Sequence, residues 1–421
     1  MERPENPITK CGGLIADIAR HTLSQSFTPN PVLAYSGALA AVAHLAGRRF
    51  RTAANTRPNL YVCAHGWSGV GKESPRKTNR EIVKACGMID TIGDDFRSGE
   101  AIQDALLTTA KLLCQYDEVD ALFETLKKGK DTVALNIMGE MLKQWGSSAS
   151  FAKRRLLANS RKGAKDDTTG KVVYHPHFTL FATGITKQMY KAISDKLAMN
   201  GFFARLIMFD AGKRTAPVVP VYQPLADDVV ARCRMVCGAD ENPRRDLDPK
   251  DEWTGNVVPE TADAKVAAMQ ISAEADTQFD DEDDGARNAL WSRAFEKCNR
   301  LALVLSISDE PGAPAITAEH YKLAHDIVWH STVEQLKFLE KYGSETDYED
   351  LQKQFLNALE RGRTPHRWLL RNKLRIPSED LRELAETLRE AGRIIFCDEH
   401  GVELQPTEKG KYIKGCYYEL V

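Results

Sequence analysis

No stretch of this 421-residue chain approaches the roughly 18 consecutive apolar residues that a membrane helix needs, which excludes a spanning helix. Met1-Glu-Arg-Pro4 lacks the basic and then apolar opening of a secretory leader, so a cytoplasmic protein is expected. Nine cysteines are scattered without any framework, and Cys233 and Cys237 are spaced for one helix face, not for a zinc knuckle. Reduced thiols are the expectation. Charge of either sign is lacking in sum: 57 Lys and Arg against 59 Asp and Glu leave −2, so nucleic-acid contact has to come from local patches. No internal repeat is present, which excludes a solenoid. The length calls for two or three domains.

What the chain does have is a loop rich in glycine. Asn59 to Pro75 reads Asn-Leu-Tyr-Val-Cys-Ala-His-Gly-Trp-Ser-Gly-Val-Gly-Lys-Glu-Ser-Pro. An apolar strand leads into Gly66, Gly69, Val70 and Gly71, then Lys72, then a helix-compatible segment from Arg76 to Cys86. Strand, glycine-rich turn, lysine and helix make the context of a phosphate-binding P-loop. Glycines allow positive φ and close backbone approach, so amides and a helix N-terminus can face one anion. Lys72 adds a mobile positive charge for the β- and γ-phosphates. The usual pattern ends in Ser or Thr after the Lys, whose hydroxyl binds Mg²⁺; here Glu73 holds that place. Three readings stay open. Glu73 binds Mg²⁺ itself, or the loop is one residue longer and Ser74 supplies the hydroxyl, or the site binds nucleotide without turning it over.

A phosphate loop of this kind requires a second acidic motif at the end of another strand. Lys111 to Tyr116 is apolar enough for that strand and ends in Asp117-Glu118. Asp117 would serve Mg²⁺ and Glu118 would polarise the attacking water; Asp120 reads as a solvated loop acid. A third strand, His177 to Thr186, carries Thr183 and Thr186 at its end, where a ring ATPase places a polar sensor. Arg205, just ahead of the apolar run Leu206 to Phe209, suits either an arginine finger reaching a neighbouring subunit's nucleotide or a local salt bridge. Arg300 is a further sensor candidate, with surface solvation as the alternative.

This order resembles a family of P-loop ATPases carried by phages and integrative elements, often encoded beside primases and related to helicases. The resemblance rests on Ala46-Gly47-Arg48-Arg49, Asn59-Leu60-Tyr61, Ser68 to Lys72 with Glu73 and Pro75, Arg97 to Ile102, Asp117-Glu118, the strand around Thr183, Gly201 to Arg205, and Arg300 to Ala302. It spans roughly residues 31–306. It implies a RecA/AAA+-like fold and replication-linked ATPase activity. ATP and Mg²⁺ are the ligands the loop and acidic motifs call for, a homo-oligomeric ring is what an arginine finger acting in trans requires, and a primase or other replication protein is an expected partner.

DNA contact is expected in two places. Residues 150–171 contain seven basic side chains, including Arg161, Lys162 and Lys165, against Asp166 and Asp167. In hexameric helicases an insertion here lines the pore and tracks single-stranded DNA; a solvated basic loop is the alternative. The second place is the carboxy-terminal segment, where three helices and two strands resemble a winged helix-turn-helix. Thr364 is expected to cap its second helix with Pro365 at the first turn, and Ser378 its third. Arg363, Arg367 and Arg371 fall in a stretch without acids and form a candidate phosphate-contacting patch. The third helix is acidic, with Glu379, Asp380, Glu383, Glu386 and Glu390, so it suits backbone contact or protein docking better than base reading. Asp280 to Asp284 reads as a solvated loop.

The expected fold is therefore α/β: a P-loop NTPase core of the RecA/AAA+-like kind at 56–215, helical flanks at 1–55 and 216–343, and a winged helix at 344–421. The expected function is ATP-driven translocation along DNA as a replicative helicase or initiator. The runner-up is a nucleotide-gated DNA- or protein-binding module, or a helicase loader, with weak or absent hydrolysis.

Overall fold

The computed structural model describes residues 5–128, 131–154, 171–192, 201–279, 285–342, 347–360, 362–404 and 416–421. The chain divides into two units, the first extending to Leu336 and the second built on Lys337–Val421. Among the described residues no helix is long and apolar enough to cross a membrane.

The first unit is a mixed α/β structure around a parallel sheet of five strands: β1 (Tyr61–Gly66), β2 (Ile92–Gly93), β3 (Lys111–Tyr116), β4 (His177–Ile185) and β5 (Leu206–Asp210). Their order across the sheet is β2-β3-β4-β1-β5, all parallel. Strand β1 is buried throughout and β4 up to its last residue, which is why both read as unbroken apolar runs. The chain leaves β1 toward the β2 edge, whereas it leaves β4 toward β5 on the other side of β1. Connections diverging in this way open a crevice at the carboxyl ends of β1 and β4, the place where open α/β sheets take their ligands.

The amino-terminal helices α1 (Gly13–Ser24) and α2 (Pro31–Ala46) belong to the same core as the sheet. Asn30 caps α2, accepting the Leu33 amide at 3.1 Å, with Pro31 in the first turn. The Ala-rich sequence of α2 is buried almost end to end, packed against Leu60, Val62, Ala64, Phe181, Ile207 and Phe209. Tyr61 points to the opposite face, where its ring lies 4.9 Å from Trp145 on helix Thr132–Ser147 and 5.8 Å from Phe178. Helix Ala294–Asp309 joins the α2 cluster through Leu301, Val304 and Leu305. The expected divisions near residues 55 and 215 therefore do not separate independent cores, because α2 from one flank and helix Ala294–Asp309 from the other pack in one cluster with the sheet.

At the other end of α2, the basic residues that come after it are structural. Arg48 donates to the carbonyls of Arg245 at 3.1 Å and Asp248 at 2.6 Å, and also to that of Asp251. Lys111 at the start of β3 is fully buried, donating to Asp246 at 3.1 Å and to the Leu45 carbonyl at 2.9 Å. These contacts fasten residues 245–251 to the α2 terminus and the sheet.

The second unit consists of helices Asp347–Leu359, His366–Trp368 continuing through Leu369–Leu374, and Ser378–Glu390, with a three-stranded antiparallel sheet. Strand Tyr417–Leu420 lies between Thr364–Pro365 and Ile394–Cys397. Phe355, Leu369, Leu381, Leu384, Leu388, Phe396 and Tyr418 form its core. One expectation is corrected here. Thr364 does not cap a helix: it pairs in register with Tyr418, and its hydroxyl is spent on the Gly362 carbonyl at 2.9 Å. Ser378 begins its helix without acting as its cap; its hydroxyl meets His366 Nε2 at 3.3 Å.

Helix α2 also meets α3 (Glu73–Ala85), the helix that comes after the glycine-rich loop. A Cβ on Gly37 would lie 2.4 Å from Pro75 Cβ. Gly→Ala inside a helix ordinarily stabilises by roughly 0.5–1 kcal/mol. At Gly37 the sign is expected to reverse, with a loss of about 1–3 kcal/mol from overpacking, read as a lower urea midpoint at unchanged slope.

Candidate functional site

The glycine-rich loop closes the carboxyl end of β1, and each glycine has its own reason. A Cβ on Gly66 would sit 2.8 Å from Val70 Cγ1, so the strand has to end bare. Gly69 and Gly71 have φ of 75° and 96°, the left-handed region, and a Cβ on Gly71 would lie 2.5 Å from the Thr28 carbonyl. Val70 is fully buried and anchors the loop, its amide donating to the Trp67 carbonyl at 3.3 Å. Among the described residues, the amides of Ser68, Gly69, Gly71, Lys72 and Glu73 make no hydrogen bond. Lys72, half-buried at the start of α3, has no hydrogen bond or ion pair there either. Unbonded amides, a helix N-terminus and a free ammonium together suit an anion with several oxygens, such as a polyphosphate. Trp67 is half-exposed beside this loop, and Lys213 Nζ lies 5.2 Å from its ring centre.

Asp117 comes directly after β3 and reaches the same crevice because β4 stands between β3 and β1. Tyr116 pairs with Ala182, and Thr183 pairs with Ala64, so Thr183 lies level with Asp117. The Thr183 hydroxyl donates to Asp117 Oδ1 at 2.8 Å, and the Glu118 amide donates to the same oxygen at 3.1 Å. The other carboxylate oxygen accepts from Arg76 Nη1 at 2.7 Å. Burial pushes the Asp117 carboxyl up, but Thr183, Arg76 and the Glu118 amide outweigh it and hold it below the usual range. Glu118 is exposed at φ 52°, a strained value for a non-glycine residue at the rim of the crevice.

Sequence context does not single out Arg76, although Glu73 and Arg76 stand three apart on one helix and therefore share a face. Its Nη1 also contacts Glu73 at 3.3 Å, and its Nη2 lies 3.6 Å from Asp94, which Arg80 holds at 2.7 Å. Ser74, the alternative hydroxyl donor, is turned away: its Oγ donates to Ser26 at 2.9 Å. Arg76 thus stands between Asp117 and Glu73, both Asp117 oxygens are engaged, and Ser74 is turned toward Ser26. Among the described residues no cluster of three His, Cys, Asp or Glu is placed to hold a metal.

Other residues lie elsewhere than expected. Asp120 is not a solvated acid but is buried, and accepts the Ile185 amide at 3.0 Å, which ties the end of β4 to the acidic turn. Thr186 meets buried His65 Nδ1 at 3.1 Å, and His65 lies 3.8 Å from Asp210, a grouping under the loop that a lone histidine in an apolar strand barely signals. Arg205 and Arg300 lie at the opposite end of the sheet. Leu206 pairs with Tyr61, so Leu206 is five strand residues, about 17 Å, from the level of Gly66, and Arg205 comes just before it. It donates to the Gly201 carbonyl at 2.7 Å and does not reach the loop of its own chain. Arg300 is buried, donating to Asn59 Oδ1, to Glu296 at 2.8 Å and to the Trp145 carbonyl at 3.2 Å, with its guanidinium 4.1 Å from the Trp145 ring centre. It braces the beginning of β1, which corrects both its sensor reading and its solvated one.

Of the expected DNA contacts, Arg161, Lys162 and Lys165 lie outside the described residues, as do 280–284. The strands that bracket the basic segment do pair: Phe151–Lys153 runs antiparallel to Val172–Tyr174, closing it at its base. In the second unit Arg363 is engaged, with Glu419 at 3.0 Å and the Glu399 carbonyl at 2.9 Å. Arg367, Arg371, Lys373 and Arg375 are exposed, without an ion pair among the described residues, and Trp368 is exposed beside them. Neither a protein-family model nor a curated protein matches this chain.

The placement of Arg300 has a direct test. Arg300→Lys keeps the charge and loses the forked geometry, so it is expected to lower thermal stability while leaving the affinity of the folded protein for a fluorescent ATP analogue unchanged. A variant of wild-type stability with weakened nucleotide binding would reinstate the sensor.

Proposed function

We propose that this chain is a P-loop ATPase of the RecA/AAA+-like kind that works on DNA, in the manner of the replication ATPases of phages and integrative elements. One observation carries the reading: the Lys72 loop, with its unbonded amides, and the Asp117–Thr183 pair converge on the crevice between β1 and β4. Lys72 and the loop amides would hold the phosphates of ATP. Thr183 would hold Asp117 in position through its hydrogen bond, and exposed Glu118 would orient a water. Arg205 serves only if a neighbouring subunit's nucleotide comes to it, so this role requires a ring. The second unit, with its three helices and sheet order, fits a winged helix. Its exposed Arg367, Trp368 and Arg371 suit contact with a nucleic-acid backbone.

The engagement of Glu73 and Asp117 by Arg76 favours a second reading, a nucleotide-gated DNA- or protein-binding module with little turnover. Hydrolysis measured with and without single-stranded DNA separates the two. For a motor, wild type is expected to show DNA-stimulated turnover, Lys72→Ala to lose it together with nucleotide affinity, and Glu118→Gln to bind ATP but not hydrolyse it. A gated module shows no turnover in any of the three while wild type and Glu118→Gln bind ATP. Arg371→Glu is expected to weaken DNA binding uniformly across sequences and to reduce the slope of log affinity against log salt by about one, measured by fluorescence anisotropy at several salt concentrations.

A further inference from the structure

Within that reading, the region around Glu73 holds an arrangement that an ordinary phosphate loop has no need of. Where a hydroxyl would be expected after Lys72 there is a carboxylate, and one helical turn on there is an arginine. The Arg76 side chain is about nine-tenths buried, so water does not replace it. A single nitrogen, Nη1, lies 2.7 Å from Asp117 and 3.3 Å from Glu73, while Nη2 faces Asp94 at 3.6 Å. Its position is also fixed from the partners' side. Thr183 and the Glu118 amide hold the other oxygen of Asp117, and Arg80 holds Asp94. Ser74, the remaining hydroxyl, is bonded to Ser26.

We infer that Arg76 is a built-in counter-ion occupying the cation position between Glu73 and Asp117, so that the site takes a nucleoside triphosphate without a divalent metal. The inference rests on the nucleotide reading above. Three carboxylates beside a phosphate site would repel the ligand unless neutralised. Arg76, Arg80 and Lys72 supply three positive charges against Glu73, Asp94 and Asp117, which leaves the approach to the loop close to neutral. Glu73 thereby acquires a reason: it completes the cage around the guanidinium and is not a damaged Ser or Thr. A guanidinium carries one delocalised charge and donates hydrogen bonds, whereas Mg²⁺ carries two charges and polarises oxygens directly.

Two measurements on the full chain test this. The first needs no nucleotide. Mn²⁺ is titrated into the protein and followed by electron paramagnetic resonance, comparing wild type with Arg76→Gln. Wild type is expected to hold no Mn²⁺ at concentrations where Arg76→Gln, with Glu73 and Asp117 released, holds one per chain, a gain of about tenfold or more in affinity. Equal binding by the two overturns the inference. The second compares a fluorescent ATP analogue in EDTA and in Mg²⁺. Wild type is expected to bind equally in both, and Arg76→Gln to weaken about tenfold in EDTA and recover in Mg²⁺. Wild-type binding that is lost in EDTA overturns it. If Arg76→Gln does not fold by circular dichroism, the wild-type comparison in the two buffers decides alone. If no analogue binds in either buffer, the nucleotide reading falls and the metal-free triphosphate site with it, while the Mn²⁺ titration still decides whether Arg76 fills the cation position.

Discussion

The pairing of β4 with β1 is the constraint on which the rest of this site depends. Parallel strands put all their carboxyl ends on one edge, and the interposed β4 sets the spacing between the glycine-rich loop after β1 and the acidic turn after β3. The register that places Thr183 beside Ala64 and Ala182 beside Tyr116 leaves Thr183 facing Asp117 across the top of the sheet. A slip of one residue would turn the Thr183 side chain to the other face and leave Asp117 without its hydroxyl donor. Burial on both faces, by α2 on one side and helix Thr132–Ser147 on the other, makes such a slip costly.

Charge is distributed along the sheet according to two different needs. At the amino ends of the strands the cations are buried and consumed: Lys111 by Asp246, Arg48 by backbone carbonyls, and Arg300 by Asn59, Glu296 and the face of Trp145. A buried cation of this kind must be matched, since removing its partner leaves an uncompensated charge in a poorly solvating interior. At the carboxyl ends the balance differs. Among the described residues Lys72 and five of the loop amides have no hydrogen bond or ion pair, while Arg76 has three carboxylate partners. Unmatched groups at a solvent-facing crevice cost little, and they leave a field that an anion can satisfy.

Much of the site is legible from local sequence. Gly69, Gly71 and Lys72 stand out because glycine is the only residue at ease in the left-handed region, and a lysine beside such a turn has few other uses. Asp117 and Thr183 stand out because an apolar strand ending in a polar residue has to present that residue at an edge. Arg300, Asp120 and Arg76 escape such reading, and for one reason. Each is a charged residue on an amphipathic segment, where exposure and burial look alike until the partner is known. The partners, Asn59 and Trp145 for Arg300, the Ile185 amide for Asp120, and Asp117 for Arg76, are all distant in sequence. Thr364 misleads differently, since a Thr-Pro pair serves a helix start and a sheet edge equally well.

The sequence by itself determined the α/β character, the glycine-rich turn between strand and helix, the helical character of the flanks and the helical rhythm of the second unit. These depend on periodicity, backbone freedom and hydrophobicity, which act over a few residues at a time. Tertiary structure alone decided the strand order, the separation of Arg205 and Arg300 from the loop, and the seating of Arg76 between Glu73 and Asp117. Those outcomes depend on which segments meet across the sheet. Contacts between residues tens to hundreds of positions apart are set by the packing of the whole core, and no local pattern encodes them.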